Sequence, residues 1–453
     1  MMNLRKITTP ILLVALFASV YPLQAQNIGN TQSTLFDEII KRVEQDYDYL
    51  ANLYKYLHRH PELSFQEANT AAKLANELSI QGYEVTQNVG GHGLVGVLKN
   101  GAGPIVLIRT DLDALPIIEQ TGLKYASKVK IRNEKGDEVG IMHACGHDVH
   151  MTVFTGTARL LSQIRDQWQG TLVMIGQPAE EKGAGAKAML ADGLFSRFPR
   201  PDYCLALHVN SGMPAGTVGY CKGFALANVD AVDIVIRGVG GHGALPHDTK
   251  DPVVIAAQTI LALQTIVSRE IKPIEPAVVT VGSIHGGTKH NIISDEVHLQ
   301  LTLRSYSDKV RNQIISAIER ICKGIAEAAG VPLDRLPTVT VQDEFTPATY
   351  NDPEMTEKLK TVFEKVLGEK NVLKVEPIMA GEDFSRYGQV APNIPICIFW
   401  LGAVTPERFE KNQIEEVSFP SLHSSLFAPD PELSIKTGVQ TMTAAALELL
   451  GSK

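Results

Sequence analysis

The stretch MHACGHDVH, Met142 to His150, places three of the chain's 13 histidines and one of its 5 cysteines on nine consecutive residues. Cys145 and His147 flank Gly146, a spacing that lets both side chains turn toward one point. Thiolate and imidazole are preferred ligands for zinc-like ions. A polar loop capping a helix would explain the same residues, so the stretch needs partners elsewhere. Three other segments offer them. The apolar run PIVLI ends in Arg109-Thr110-Asp111-Leu112-Asp113, TLVMIGQ ends in Pro178-Ala179-Glu180-Glu181, and YCLAL ends in His208. SLHSSLF adds His423 late in the chain. Cys145, His147, Glu181, His208 and His423 are five candidate ligands, enough for a two-metal centre with one shared group. Two such ions, about 3.5–4 Å apart, activate water and polarise a carbonyl. In the pair Glu180-Glu181, one carboxylate can hold metal while the other takes a proton from water. The competing reading is a pair of solvated loop charges, the ordinary state of adjacent glutamates.

The elements that position these groups alternate. LFDEIIKRVEQDYDYLANLYKYLH repeats apolar residues every three or four positions and predicts a helix, and FQEANTAAKLANELSIQG predicts a second. PIVLI, TLVMIGQ and CLALHV are unbroken apolar runs, as in strands buried on both faces of an α/β sheet. Ligands of such sheets sit beyond the carboxyl ends of the strands, which is where the polar residues gather. The middle of the chain reads differently. Strands are expected at Ala231–Arg237, Ala277–Ile284, Glu296–Arg304 and Thr338–Asp343, and helices at Asp251–Glu270 and Asp308–Ala329. That β-α-β-β-α-β order predicts an α+β domain spanning 225–345 and inserted into a larger α/β domain made of 26–224 and 346–453.

Composition narrows the function classes. Residues 1–25 join a basic start (Arg5, Lys6), an apolar run and a small-residue cleavage point after Ala25, the pattern of a secretory signal peptide. Its removal takes two bases and no acid, moving the net charge from −8 to −10. An acidic chain without a basic tract argues against nucleic acid and anionic membranes as partners. The expected location is therefore periplasmic or secreted. The five scattered cysteines form no disulfide framework; Cys204–Cys221 is a possible pair, with buried free thiols the favoured state.

RTDLDALP, MHACGHDVHMTVFTGTARLL, PAEEKGAGAKAML, LHV, GVGGHGALPHDTKDPV, GGTKHNIISDEV and HSSLFAPD occur in order over most of the chain. Together they resemble the dinuclear-metal amidohydrolase family of hippurate hydrolase, N-acyl-amino-acid amidohydrolases and plant auxin-conjugate hydrolases, whose architecture related carboxypeptidases share. The resemblance implies a mixed-sheet metallopeptidase-like catalytic domain with an inserted dimerisation or lid domain, and two divalent ions (Zn, Mn, Ni or Co) per subunit. It makes Cys145, His147, Glu181, His208 and His423 the ligands, with Cys145 bridging, and Glu180 the general base.

Asp113 falls where relatives have a supporting aspartate, whereas Asp111 stands where relatives with a His-x-Asp pattern have histidine. The roles of Asp111, His143, Asp148 and His150 stay open. His242, in IRGVGGHGALP, matches a histidine that reaches the partner's site in a homodimer and stabilises the oxyanion. Asn291 and Arg304 resemble groups that hold the substrate's carboxylate or amide, and Gly381 and Glu382 resemble a pocket-lining segment. His247 reads as structural, and Lys289 and His290 depart from the usual motif. The expected reaction is cleavage of the amide bond of N-acyl amino acids by metal-activated water, with dipeptidase or carboxypeptidase action on the same centre as the alternative. A non-catalytic binding protein on this scaffold would be marked by loss of Glu180 or of a ligand. None is lost.

Overall fold

The computed structural model describes residues 23–132, 136–343, 345–415 and 418–452. Most of the signal segment, 1–22, lies outside them. Helix α1 (Leu23–Arg59) and α2 (Ala68–Ile80) precede strands β1 (Glu84–Val89), β2 (Gly93–Asn100) and β3 (Ile105–Asp111). Helix α3 (His147–Gln163) leads to β4 (Trp168–Gln177), β5 (Tyr203–Pro214), β6 (Val218–Tyr220) and β7 (Gly223–Leu226). The next segment holds β8 (Asp230–Arg237), β9 (Gly241–His242), α4 (Pro252–Thr265), β10 (Ala277–Gly286), β11 (Ile292–Ile293), β12 (Glu296–Ser305), α5 (Asp308–Ala328) and β13 (Thr338–Val341). The chain closes with β14 (Thr349–Asn351), α6 (Pro353–Leu367), β15 (Val372–Lys374), β16 (Ile396–Val404), α7 (Pro431–Leu449) and the short β17 (Gly451–Ser452).

The large sheet runs β1-β2-β4-β3-β5-β16-β6-β15, with β17 beside β4. Its centre is parallel: β3 pairs with β4 and β5, and β5 with β16. The outer pairs β1–β2, β2–β4 and β16–β6 are antiparallel. Every residue of β16 is buried, as a strand covered on both faces requires. Alternate side chains feed two cores. Leu172 and Met174 face the helices α1, α2, α3 and α7, while Val173 and Ile175 face the opposite side with Phe384 and Tyr387. Helix α3 packs against both α1 and α7.

The middle segment has its own antiparallel sheet, β10-β12-β8-β13, and its own core. Burial alternates along β8 and β12, because one face is covered by α4 and α5 and the other is open. The strands and helices of this sheet and its cover follow the expected order, and a short unexpected pair, β9 with β11, is added to them. The expected helix Asp251–Glu270 is α-helical only to Thr265 and widens into a π-helical turn over Ile266–Glu270. Asp251 starts it by accepting the Val253 N–H at 2.8 Å, with Pro252 in the first turn, where a missing N–H costs nothing. The chain leaves the body through β7 and returns through β14, and these linkers pair antiparallel.

Candidate active site

Strands β3 and β4 are parallel and in register up to Asp111 opposite Gln177. The turns that follow them, Leu112-Asp113 and Pro178-Ala179-Glu180, therefore emerge side by side. His208 lies on neighbouring β5, and His147 opens α3. The turn before α3 needs Gly146: its φ is +79°, and a Cβ there would stand 2.5 Å from the Val209 side chain. Only glycine meets both demands at little cost. Among the described residues, four non-glycine positions have positive φ, and two of them, Ala179 (+50°) and His423 (+65°), adjoin or belong to this cluster. Such strain persists where surroundings over-determine it. His423 is held by its N–H donating to Ala144 O at 2.9 Å, which ties the late loop to the Cys145 loop.

The five residues meet in two groups that share Cys145. In Cys145, His147 and His208, one ligand atom from each lies within 4.8 Å of the others, and the same holds for Cys145, Glu181 and His423. Cys145 Sγ is 3.4 Å from His208 Nε2 and 3.3 Å from His423 Nε2. His423 Nε2 is 3.5 Å from Glu181 Oε2. Hydrogen bonds fix which imidazole nitrogen is free. His147 Nδ1 lies 2.8 Å from Asp113 O, and His208 Nδ1 lies 2.8 Å from Val209 O. A carbonyl only accepts, so both Nδ1 atoms donate and both Nε2 lone pairs face the cluster. Buried His147 Nε2 and Glu181 Oε1 have no hydrogen-bond partner. Orphaned buried acceptors gathered around a thiol fit divalent ions of zinc-like character. Burial, with Glu181 and Glu180 nearby, holds the Cys145 thiol well above its usual pKa; a cation at this point reverses that preference.

Asp113 organises the turn. Its carboxylate accepts the backbone N–H of Glu180 at 3.1 Å and of Glu181 at 3.0 Å, and the Ser64 hydroxyl at 2.6 Å. Glu67 accepts the Ala179 N–H at 2.8 Å. The Glu180 side chain is 11% exposed, and its Oε2 stands 4.0 Å from His147 Nε2. Burial, then Glu382, Glu181 and Asp383, push its pKa well above the carboxylate range. Behind it lies a network that the residue types alone did not reveal. Buried Arg109 pairs with Asp111 at 2.8 Å, Glu382 at 2.8 Å and Asp383 at 3.3 Å, and donates to Gln177 at 3.0 Å. Glu382, in the segment expected to line a pocket, belongs to this ion cluster, is 2% exposed and lies close to Glu180. The available signal was Arg109 itself, a charge ending an apolar strand.

The residues of MHACGHDVH left without a role divide. His150 Nε2 accepts the Val209 N–H at 2.9 Å, so its Nδ1 donates to Asp111 at 2.8 Å. Asp148 pairs with His58 at 2.6 Å, and His58 also meets Glu119 at 3.1 Å. Both ring nitrogens of buried His143 are without partners. All five cysteines are buried and free.

The middle segment stands apart. His242 is exposed, and its Nδ1 accepts the Ala244 N–H at 3.0 Å. Asn291 is exposed, and its backbone carbonyl accepts the Gly243 N–H at 2.9 Å. Arg304 donates to Leu303 O at 2.9 Å and to the Thr302 hydroxyl. Among the described residues, no hydrogen bond or ion pair joins these three to the five-residue cluster.

The profile of peptidase family M20/M25/M40 matches residues 107–424, a span holding every residue of the cluster. The thermostable carboxypeptidase 1 of Saccharolobus solfataricus is 34% identical over 88% of this chain and 95% of its own. The N-acetyl-L-cysteine deacetylase of Bacillus subtilis is 36% identical over 82% of this chain and 85% of its own. Among solved structures, the YXEP protein of Bacillus subtilis, a dinuclear metal binding peptidase from the M20 family, superposes with a TM-score of 0.73 at 30% identity. That match covers 90% of this chain and 99% of the other. With the clustered donors and these matches together, the chain belongs to peptidase family M20/M25/M40, as a metal-dependent amidohydrolase or peptidase.

Proposed function

We propose that the chain hydrolyses the amide bond of N-acyl amino acids, using two divalent ions held by Cys145, His147, Glu181, His208 and His423. The observation that carries this reading is Cys145 common to both ligand groups, with Glu180 beside them. Bound ions supply Lewis-acid polarisation of the scissile carbonyl and acidify water. Glu180 is the residue placed to move the proton. A carboxylate beside the ligands suits the task of taking a proton from water and returning it to the departing amine. Asp113 holds Glu180 and Glu181 at their backbones, so the base and the ligand keep their separation. Zn, Mn, Ni and Co all suit this donor set.

His242 completes the site from the middle segment of a second subunit, and Asn291 and Arg304 of that segment contribute to substrate binding. His242 donates to the oxyanion, and Arg304 and Asn291 hold the amino acid's carboxylate. Support for a homodimer comes from exposed Val253, Val254 and Leu261 on α4 and Ile284 on β10, an apolar face beside an open sheet edge. Export to the periplasm or medium follows from the first 25 residues.

Peptidase action is the second reading, favoured by the relative named as a carboxypeptidase. The two separate on metal-reconstituted protein assayed with N-acetyl and N-benzoyl amino acids against dipeptides. Higher kcat/KM on the acylated substrates is expected. Preference for dipeptides would reassign the enzyme as a peptidase.

A further inference from the structure

We propose a second small-molecule site, at the crossing of the two linkers, that takes an organic cation. A cavity of about 540 Å³ lies there, within the range of ordinary ligand pockets. None of the five proposed ligands lines it, and neither does Glu180. One wall is aromatic. Phe224 of β7 stacks on Tyr306 with ring centroids 5.5 Å apart, and meets Tyr350 of β14 edge-on at 5.0 Å. Two carboxylates, Asp308 and Asp352, complete the charged lining, and no Lys, Arg or His joins them. Three clustered aromatic rings beside two acids attract a positive charge and repel an anion.

The cavity also meets the first turn of α5, a location that often holds anions. Here that preference is already met. Ser307 caps the helix by accepting the Val310 N–H at 3.3 Å, and Asp308 supplies negative charge in the first turn. Asp352 likewise caps α6, with Oδ1 accepting the Met355 N–H at 2.8 Å. A further observation points to an occupant. Ser385, 1% exposed, forms part of the wall, and its hydroxyl has no hydrogen-bond partner. Buried hydroxyls without partners are uncommon, and an ammonium N–H or a ligand oxygen would satisfy this one. The occupant is a small aryl or alkyl ammonium compound, touching both linkers and the start of α5 at once.

The test is calorimetric titration of the metal-loaded full chain, at fixed ionic strength, with benzylammonium chloride and with benzyl alcohol as its uncharged counterpart. The cation is expected to bind saturably and at least about tenfold tighter than the alcohol. Tyr350→Ala and Asp308→Asn should each weaken it about fivefold or more. Tyr350→Phe, which keeps the ring and guards against a folding defect, should retain binding, and so should Glu180→Gln. The proposal is overturned by absence of saturable cation binding, by equal affinity for the alcohol, or by binding that Tyr350→Ala and Asp308→Asn leave unchanged. Loss of binding in Glu180→Gln would place the cation in the catalytic cluster and equally overturn it.

Discussion

The ligand cluster and the His242 turn both carry residues suited to catalysis, yet their surroundings are opposite. Around Cys145, backbone carbonyls fix the imidazoles of His147 and His208, Asp113 fixes the glutamate pair, and Arg109 binds three carboxylates behind them. Around His242, one backbone N–H is the only hydrogen bond to the ring among the described residues, and the side chain is exposed. A centre that holds charged groups close together needs rigid support before any ligand arrives. The middle segment has a separate core and a two-strand connection to the body, while the cluster draws on β3, β4, β5, α3 and a late loop; such independence is what a residue acting on a second subunit, as proposed for His242, would need.

The contrast breaks most visibly at Arg109. Arg109→Met leaves Asp111, Glu382 and Asp383 buried without their shared cation, which should cost about 3–5 kcal/mol of stability. Urea unfolding measures it, and a loss under about 1 kcal/mol would mean that the network behind Glu180 supports nothing. On the exposed side, His242→Ala should leave stability unchanged while slowing turnover ~10²–10³-fold. Mixing this variant with Glu180→Gln sharpens the point. With subunit exchange shown by differently tagged chains, about a quarter of wild-type activity should return if His242 acts in trans. No recovery would place His242 in its own subunit's site.

Smaller effects probe the supports. Gly146→Ala forces a Cβ onto Val209 at a left-handed φ and should cost about 1–3 kcal/mol, read by thermal unfolding. An unaltered melting temperature would show that the loop before α3 has room to relax. His58 gives a pH signature. Burial opposes its charge, but Asp148 and Glu119 outweigh it and raise its pKa from 6.5 to about 9. The folded chain then holds this proton more tightly than the unfolded one. The stabilisation is complete below pH 6.5 and disappears as pH rises through 9. The stability gap between wild type and His58→Gln should therefore shrink over that window; a gap independent of pH would contradict the charged pairing.

Much of this was legible in the sequence, unevenly and for physical reasons. Apolar runs such as PIVLI announce buried strands, and the β-α-β-β-α-β order of the middle segment follows from periodicity alone. Cys145-Gly146-His147 advertises itself because its ligands are neighbours. The partners of Arg109 do not, since Glu382 lies 273 positions away and reads in isolation as a surface acid. The same holds for His58 with Asp148, separated by 90 positions. The left-handed turn at Ala179 left no trace in residue type, because alanine carries no preference for it. Pairing a base with a ligand within Glu180-Glu181 came from residue type, which is which came from resemblance, and only the fold shows Asp113 holding both.

The most direct test compares the two members of that pair. Glu180→Gln and Glu181→Gln are nearly isosteric, and metal content by mass spectrometry can be read beside turnover of an N-acyl amino acid. Glu180→Gln should keep full metal occupancy and lose at least ~10²-fold in kcat, because only the proton acceptor is gone. Glu181→Gln should lose metal. Equal metal loss in both variants, or near-normal turnover in Glu180→Gln, would contradict the assignment of base and ligand on which the account rests.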